Sequence, residues 1–427
     1  MVYKKNEEGT TEECFRKDEV EEACIEENVA RFTQNINTPF LMEPLVSEIG
    51  LLAETEAANN ILKGEYQVPE QLDEYTKALI KELKLPEGIP ITGAIPNTVT
   101  PEDNKNAWES QKEKVSSQGL HFGHTKACSS HPHLNNFDAQ VRSLPYKHGF
   151  APEAWKKITD VEILKSEGVL EIERMRTMQL LDSMFNMNNK KLGRELMKKA
   201  EEEGLIAEEQ FGSRKAHKAV SVALNKRLTL DLLRQKKKAG VIISNDAKSC
   251  YDRVAHNVAI LSMRRWGAPK STVTSLFKTF QQATHNVRTA FGDSTRTYDS
   301  KSGAIPLQGI AQGNGCAPTG WVCISTPLIN ILKAAKFGAF LLSAITVTAI
   351  YFACYAFVDD TDLVHTAQHN EFVGEEMIPT IQNLMDTWQG SLRATGGAIN
   401  PKKTYWTFVD FKWHRNKWTL VSDTDVP

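Results

Sequence analysis

Val241-Ile242-Ile243-Ser244-Asn245-Asp246 is a short apolar run that ends on a carboxylate, and it continues Ala247-Lys248-Ser249-Cys250-Tyr251-Asp252. A second run, Tyr351-Phe352-Ala353-Cys354-Tyr355-Ala356-Phe357-Val358, leads into Asp359-Asp360-Thr361-Asp362 and then the apolar pair Leu363-Val364. Short runs of β-branched and aromatic residues predict buried strands. The first strand ends at Asp246, and the second folds back as a hairpin with carboxylates at its turn. Adjacent ionised aspartates repel each other, and setting a third carboxylate beside them is costly unless divalent cations neutralise the group. Hard oxygen ligands point to Mg²⁺ or Mn²⁺, and two such ions about 3.5–4 Å apart form the clamp used for in-line phosphoryl transfer.

Around these sites lie 427 residues, which at about 100–200 per domain allow two to four domains and a large core. A hydrophobic share of 41% with 24% charged excludes a wholly disordered, collagen-like or mucin-like chain. The net charge of −2 leaves no global nucleic-acid footprint, so segregated charge is what counts. Residues 1–28 are acidic (Glu7, Glu8, Glu12, Glu13, Asp18, Glu19, Glu21, Glu22, Glu26, Glu27) and read as a frayed helix or tail. Helical spacing follows from Val29 to Leu85, and Pro86, Pro90, Pro96 and Pro101 read as a linker. From Trp108 onwards helical and strand patterns alternate, as in an α/β or α+β body. Between Arg214 and Lys238 the only acid is Asp231, which leaves a field suited to phosphates.

Seven cysteines, an odd number without a CxxC pair, argue against a disulfide framework and for a reducing compartment. With no apolar segment at the N-terminus, an intracellular location is expected, nucleus or cytoplasm being left open. Phe337 to Val358 is uncharged and long enough to span a bilayer. Its Ser343, Thr346 and Thr348, with Ile345, Val347, Ile350, Tyr351, Phe352 and Tyr355, favour two buried strands and a turn, and no membrane. His121, His124, Cys128, His131 and His133 have mixed spacing and no second ligand group, and read as polar surface or packing residues rather than a zinc site.

The order of motifs around the aspartates resembles the reverse transcriptases, particularly those of non-LTR (LINE-like) retroelements. Asp246-Ala-Lys-Ser-Cys-Tyr-Asp252 resembles the palm motif that supplies the first metal ligand. Ile305-Pro-Leu-Gln-Gly-Ile-Ala-Gln312-Gly313-Asn-Gly-Cys-Ala-Pro318 resembles the glycine-bearing loop and helix start that hold template and nucleotide. Phe357-Val358-Asp359-Asp360 resembles the aromatic-x-Asp-Asp box, and Gly396-Gly-Ala-Ile-Asn400-Pro-Lys402-Lys403-Thr404 the palm motif that follows it. Upstream, Ile163-Leu-Lys165 and Arg174-Met-Arg176-Thr177 resemble two finger strands, and Glu209-Gln210-Phe211-Gly212-Ser213-Arg214 the family's Gln-x-Gly-Phe-Arg-like segment. The similarity covers about Trp155 to Thr404, with a looser part reaching back through Gly119-Leu-His-Phe-Gly-His124.

This resemblance implies an α+β fold, a right-hand polymerase palm and fingers with an antiparallel palm sheet, preceded by a helical N-terminal extension. The expected division is 1–103, acidic extension and linker; 104–240, pre-palm region and fingers; 241–405, palm; and 406–427, an aromatic and basic hairpin with a truncated C-terminus. The implied activity is RNA-directed DNA synthesis for a retrotransposon, with RNA template, DNA primer and dNTPs as partners. Asp246 and Asp359 would hold two Mg²⁺ (or Mn²⁺) ions with Asp360 beside them, and Lys165 and Arg176 would lie over the triphosphate. Tyr251 would be the steric gate against a 2′-hydroxyl, Gln312 and Gly313 would approach the substrate closely, and Lys403 would protonate the pyrophosphate. Trp406 to Trp418 would form a hairpin supporting the primer end, or a buried aromatic strand. Two departures stand out: Thr177 replaces the usual Pro, and the end at Pro427 leaves too little sequence for a helical thumb. No endonuclease or RNase H segment is visible, so a fragment or decayed copy that only binds RNA is one alternative. An RNA-dependent RNA polymerase is another, although such enzymes usually have Gly where Val358 stands.

Overall fold

Gly240–Asn245 is an inner strand of a four-stranded antiparallel sheet in a computed structural model that describes residues 1–5, 10–116, 119–300, 303–343, 346, 348–367 and 374–421. Glu7 and Glu8 of the acidic stretch, Ile345 and Val347 of the uncharged stretch, and residues 422–427 lie outside that description. The sheet runs in the order Cys354–Phe357, Asp360–Thr366, Gly240–Asn245, Tyr405–Val409. Val241 and Ile243 point into the main core, while Ile242 points the other way, against Ala339, Tyr355 and Val364. A strand apolar on both faces must be covered on both. Helices His256–Arg265, Ala317–Ala334 and Gly374–Ala394 cover the first face. Helix Ala219–Lys236 and the hairpin Ala339–Leu342 with Ala349–Phe352 cover the second.

A second sheet has the order Arg176–Leu180, Lys157–Ile163, Thr284–Thr289, Gly292–Asp299, with its inner pair parallel. The architecture is therefore mixed α+β with largely antiparallel sheets, as expected. The uncharged stretch forms strands, but its described residues make three rather than the two buried ones expected, and Phe340, Leu342, Ile350 and Tyr351 are exposed because the outer hairpin packs through one face only. No described helix is long and apolar enough to cross a membrane. All seven cysteines are free.

The acidic N-terminus departs from the expected frayed helix or tail. Val2–Lys5 pairs with Thr11–Cys14, and helix Lys17–Thr33 buries Val20, Ala23, Cys24 and Phe32 against Ile172, Met175, Val287, Tyr298 and Leu307. The apolar residues recur at helical spacing among the acids, so one face docks while Asp18 and Glu26 stay in water. Farther on, Phe40, Leu41, Leu45, Ile61, Leu79 and Leu83 join the same core as the four-stranded sheet. The proline-rich stretch is coil yet tied down, with Ala94 N donating to Gly267 O at 2.7 Å.

Candidate active site

The carboxylates stand at one edge of the four-stranded sheet. Thr361 pairs with Asn245, so one further step along the ladder sets Asp246 across from Asp360. Phe357 pairs with Asp360, which leaves Val358 and Asp359 as the two-residue turn. Burial, and then the charges of Asp360 and Asp246, push the Asp359 carboxyl above its ordinary value, against a lowering from its own backbone N–H. Asp246 has partners of its own: Asn400 Nδ2 donates to its Oδ2 at 3.1 Å, and Lys403 Nζ lies 3.5 Å from the same oxygen. Among the described residues no three His, Cys, Asp or Glu side chains are drawn into a metal-holding group. The donor set nevertheless suits a hard divalent cation, being carboxylate oxygens gathered at one edge, where the charges of Asp360 and Asp246 act on Asp359. Asp362 takes no part in this edge. Its carboxylate accepts from Lys226 Nζ at 2.9 Å and Ser244 Oγ at 2.5 Å, pinning helix Ala219–Lys236 to the sheet.

The turn itself is strained and held. Val358 has φ 60°, a left-handed conformation that is an outlier for a β-branched residue. Its N–H donates to Gln210 Oε1 at 3.0 Å, and its carbonyl accepts from Gln210 Nε2 at 3.1 Å and from Trp321 Nε1 at 2.7 Å. Gln210 and Trp321 are buried, at 0% and 1% exposure. The Gln210 segment runs beside the hairpin: Phe211 N donates to Ala356 O at 2.8 Å, and Ala356 N to Glu209 O at 3.0 Å. Gly212 presses so close that a Cβ there would meet Val358 N at 2.1 Å.

A polar cavity of about 400 Å³ has walls that include Glu27, Arg31, Gln34, Lys165, Lys248, Asp252 and Gln312, and so comes within two residues of Asp246 along the chain. Partial burial, and then the Arg31, Arg176 and Lys403 cations, push the Lys165 ammonium below its ordinary value. Neither Lys165 nor Arg176 forms an ion pair among the described residues. Gln312 Nε2 donates to the Asp252 carboxylate at 3.0 and 3.1 Å, while burial pushes that carboxyl up to about 6. Tyr251 is half-buried against the main core, and its carbonyl accepts from Ile310 N at 2.9 Å. Burial, then the Cys250 thiol and Asp359, raise its phenol well above the usual tyrosine value.

Gly313 makes a close approach within the protein. At φ 113°, a Cβ there would meet Gln179 O at 2.7 Å, so the close approach that glycine permits is to the strand Arg176–Leu180. Gln312 O accepts from Gln179 N at 2.8 Å, and Gly313 O from Asn186 Nδ2 at 3.0 Å. Gly313 also borders a second groove, with Gly315, Lys114, Gln179, Lys190 and Arg288.

The family model described as reverse transcriptase (RNA-dependent DNA polymerase) matches residues 163–418. The chain belongs to the reverse transcriptase family. No curated protein matches it. The part matched to the reverse transcriptase family begins at Ile163 and ends at Trp418, so it contains Lys165, Arg176, Gln210, Tyr251, Gln312, Gly313, Lys403 and all three edge aspartates. Reverse transcription requires a nucleic-acid surface, and two expected elements bear on it. In the basic stretch, Arg214 is closed on Glu201 through two 2.8 Å bonds, whereas Lys215, Lys218, Arg227, Arg234 and Lys236 are exposed. Trp406, Trp413 and Trp418 are 48%, 59% and 44% exposed, which corrects the alternative of a buried aromatic strand, although Phe408, Val409 and Phe411 turn inward there. His121 caps helix Phe122–Ser130 by accepting from Gly123 N at 3.0 Å, a local structural use.

Sequence reasoning noted Gln210 and Asn400 as parts of motifs but not their bonds to Val358 and Asp246, and it missed Trp321 and Arg31. The signal for Gln210 lay in its motif alone, since Glu208 and Glu209 directly before it give no apolar context that would mark it as buried. Arg31 and Trp321 carried none, because their partners are distant in the chain.

Proposed function

We propose that the chain is the polymerase portion of a non-LTR retroelement, extending a DNA primer with dNTPs on an RNA template. The four-stranded sheet is then the palm and the second sheet the fingers. The observation that carries this is the edge where Asp246, Asp359 and Asp360 gather, with Arg176 within electrostatic reach of both Asp359 and Lys165.

Asp246 and Asp359 would hold two Mg²⁺ or Mn²⁺ ions, with Asp360 beside them; when bound, such ions supply charge neutralisation and Lewis acidity to phosphoryl transfer. Lys165 and Arg176 bind the triphosphate and steady the charge that grows on the leaving pyrophosphate. Lys403 delivers a proton to that pyrophosphate after leaving Asp246, a swing its exposed stem permits. Tyr251 lies under the incoming sugar and excludes a 2′-hydroxyl. The groove with Gly313, Gly315, Lys190 and Arg288 receives the template, and the exposed Trp406, Trp413 and Trp418 offer faces on which primer bases or sugars stack.

The test is primer extension on an RNA template by the purified chain with Mg²⁺ or Mn²⁺ and deoxynucleotides, beside Asp359→Asn. Extension by the wild type that the variant lacks supports the proposal. RNA binding without extension would instead identify a non-catalytic remnant. Incorporation of ribonucleotides in preference to deoxynucleotides would identify an RNA polymerase, and Tyr251→Ala should admit ribonucleotides only if the gate is real.

A further inference from the structure

The cavity bordered by Lys165, Asp252 and Gln312 is walled on one side by helix Lys17–Thr33, which precedes the family-matched segment by more than 100 positions. Arg31 and Gln34 sit one helical turn apart and both border that cavity. Arg31 is only 7% exposed, and its placement is specific: Nη1 donates to Thr177 Oγ1 at 2.5 Å and Nη2 to Glu27 at 2.9 Å. Thr177 is itself fully buried, and its hydroxyl hydrogen goes to Asn28 Oδ1 at 2.8 Å or Glu162 Oε2 at 3.0 Å. One hydroxyl on the strand that carries Arg176 thus locks the N-terminal helix onto the second sheet.

A guanidinium has five N–H donors in a rigid fork suited to phosphate oxygens. Two are engaged, which leaves capacity on the cavity side. Arg31, Arg176 and Lys403 all lie within electrostatic reach of Lys165, where their repulsion outweighs the attraction of Asp252, and a polyanion bound between them would relieve it. We propose that Arg31 binds the phosphates of the incoming nucleoside triphosphate, and that Thr177 positions it there, so that the N-terminal helix is part of the nucleotide site. This rests on the polymerase reading above, in which Lys165, a wall of that cavity, binds the triphosphate.

Equilibrium binding of a deoxynucleoside triphosphate to the full chain, without primer and therefore without turnover, tests it. Arg31→Ala should weaken binding about tenfold or more, the loss of one charge-assisted hydrogen bond. Inorganic tripolyphosphate should compete with the nucleotide for the wild type and tenfold less well for the variant. Thr177→Val, which keeps the guanidinium but removes its anchor, should weaken binding severalfold. In the wild-type chain, where no folding question arises, saturating triphosphate should protect Arg31 from phenylglyoxal, read by mass spectrometry at that residue. Reaction of Arg31 at an undiminished rate, or unchanged affinity in folded Arg31→Ala, overturns the proposal. Lys165→Ala separates the two levels: if it weakens binding while Arg31→Ala does not, only the role of Arg31 falls. If the wild type binds no triphosphate at all, the polymerase reading falls with it.

Discussion

Two hairpin turns in this chain contain left-handed residues, and they are held in opposite ways. Arg415 at φ 49° and Asn416 at φ 61° join Phe411–His414 to Lys417–Leu420, both fully in water. Two left-handed central residues match the natural twist of a hairpin, and Asn enters that region readily. That turn is built from local preference. Val358 at φ 60° has no such preference, and strain of this kind costs about 1–3 kcal/mol. It persists because Gln210 and Trp321 fix both polar groups of its backbone from buried positions. The comparison teaches that the turn bearing Asp359 is imposed from outside, so its geometry belongs to the surrounding structure rather than to its own four residues.

The largest effect is expected from the carboxylate the imposed turn presents. Asp359→Asn should lower single-turnover extension by about 10³-fold, since metal-assisted stabilisation is worth several kcal/mol, with the melting temperature unchanged or raised as a repelling charge is lost. Gly212→Ala comes next, because its Cβ must displace Val358 N; a loss of about 3 kcal/mol in urea unfolding is expected, with extension reduced at least tenfold in the folded fraction. A fully active, equally stable Gly212→Ala would show that the turn is not imposed at all. Gln210→Leu should cost about 2 kcal/mol by stranding Val358 N–H, and it should raise the Mg²⁺ concentration needed for half-maximal extension. A merely destabilised protein would keep that midpoint. The smallest effect belongs to the free turn, where Asn416→Gly should shift stability by no more than about 0.5 kcal/mol in the same unfolding experiment.

The carboxylate edge was legible because it is local. Each strand announces itself by a run of apolar residues, and the hairpin is closed by contiguous sequence, so the placement of Asp359 and Asp360 at its turn needs only the register Phe357 with Asp360. The alternation of helices and strands followed from the same local patterns, while the choice of α+β came from the family resemblance. The grip on Val358 was not legible, since Gln210 reaches it across 148 positions and leaves no period in the sequence. Helix Lys17–Thr33 was hidden for a related reason. Ten acids in 28 residues dominate its composition, while its docking face is set by Ile172, Met175 and Val287, all more than 130 residues later. Thr177 was seen only as a departure from the family pattern, and its hydroxyl proves to be the point at which that helix attaches.

The peptide between Gln312 and Gly313 is a partition: the Gln312 side chain faces the cavity with Lys165, and Gly313 faces the groove with Lys190 and Arg288. Both residues are tethered, Gln312 O to Gln179 and Gly313 O to Asn186, so the partition cannot shift on one side alone. Any occupant that moves it therefore changes the free energy of occupancy on the far side, and by thermodynamic linkage the effect is reciprocal. In a polymerase this gives the chain a way to sense the fit of one ligand through its affinity for the other, with a single shared wall as the reporter.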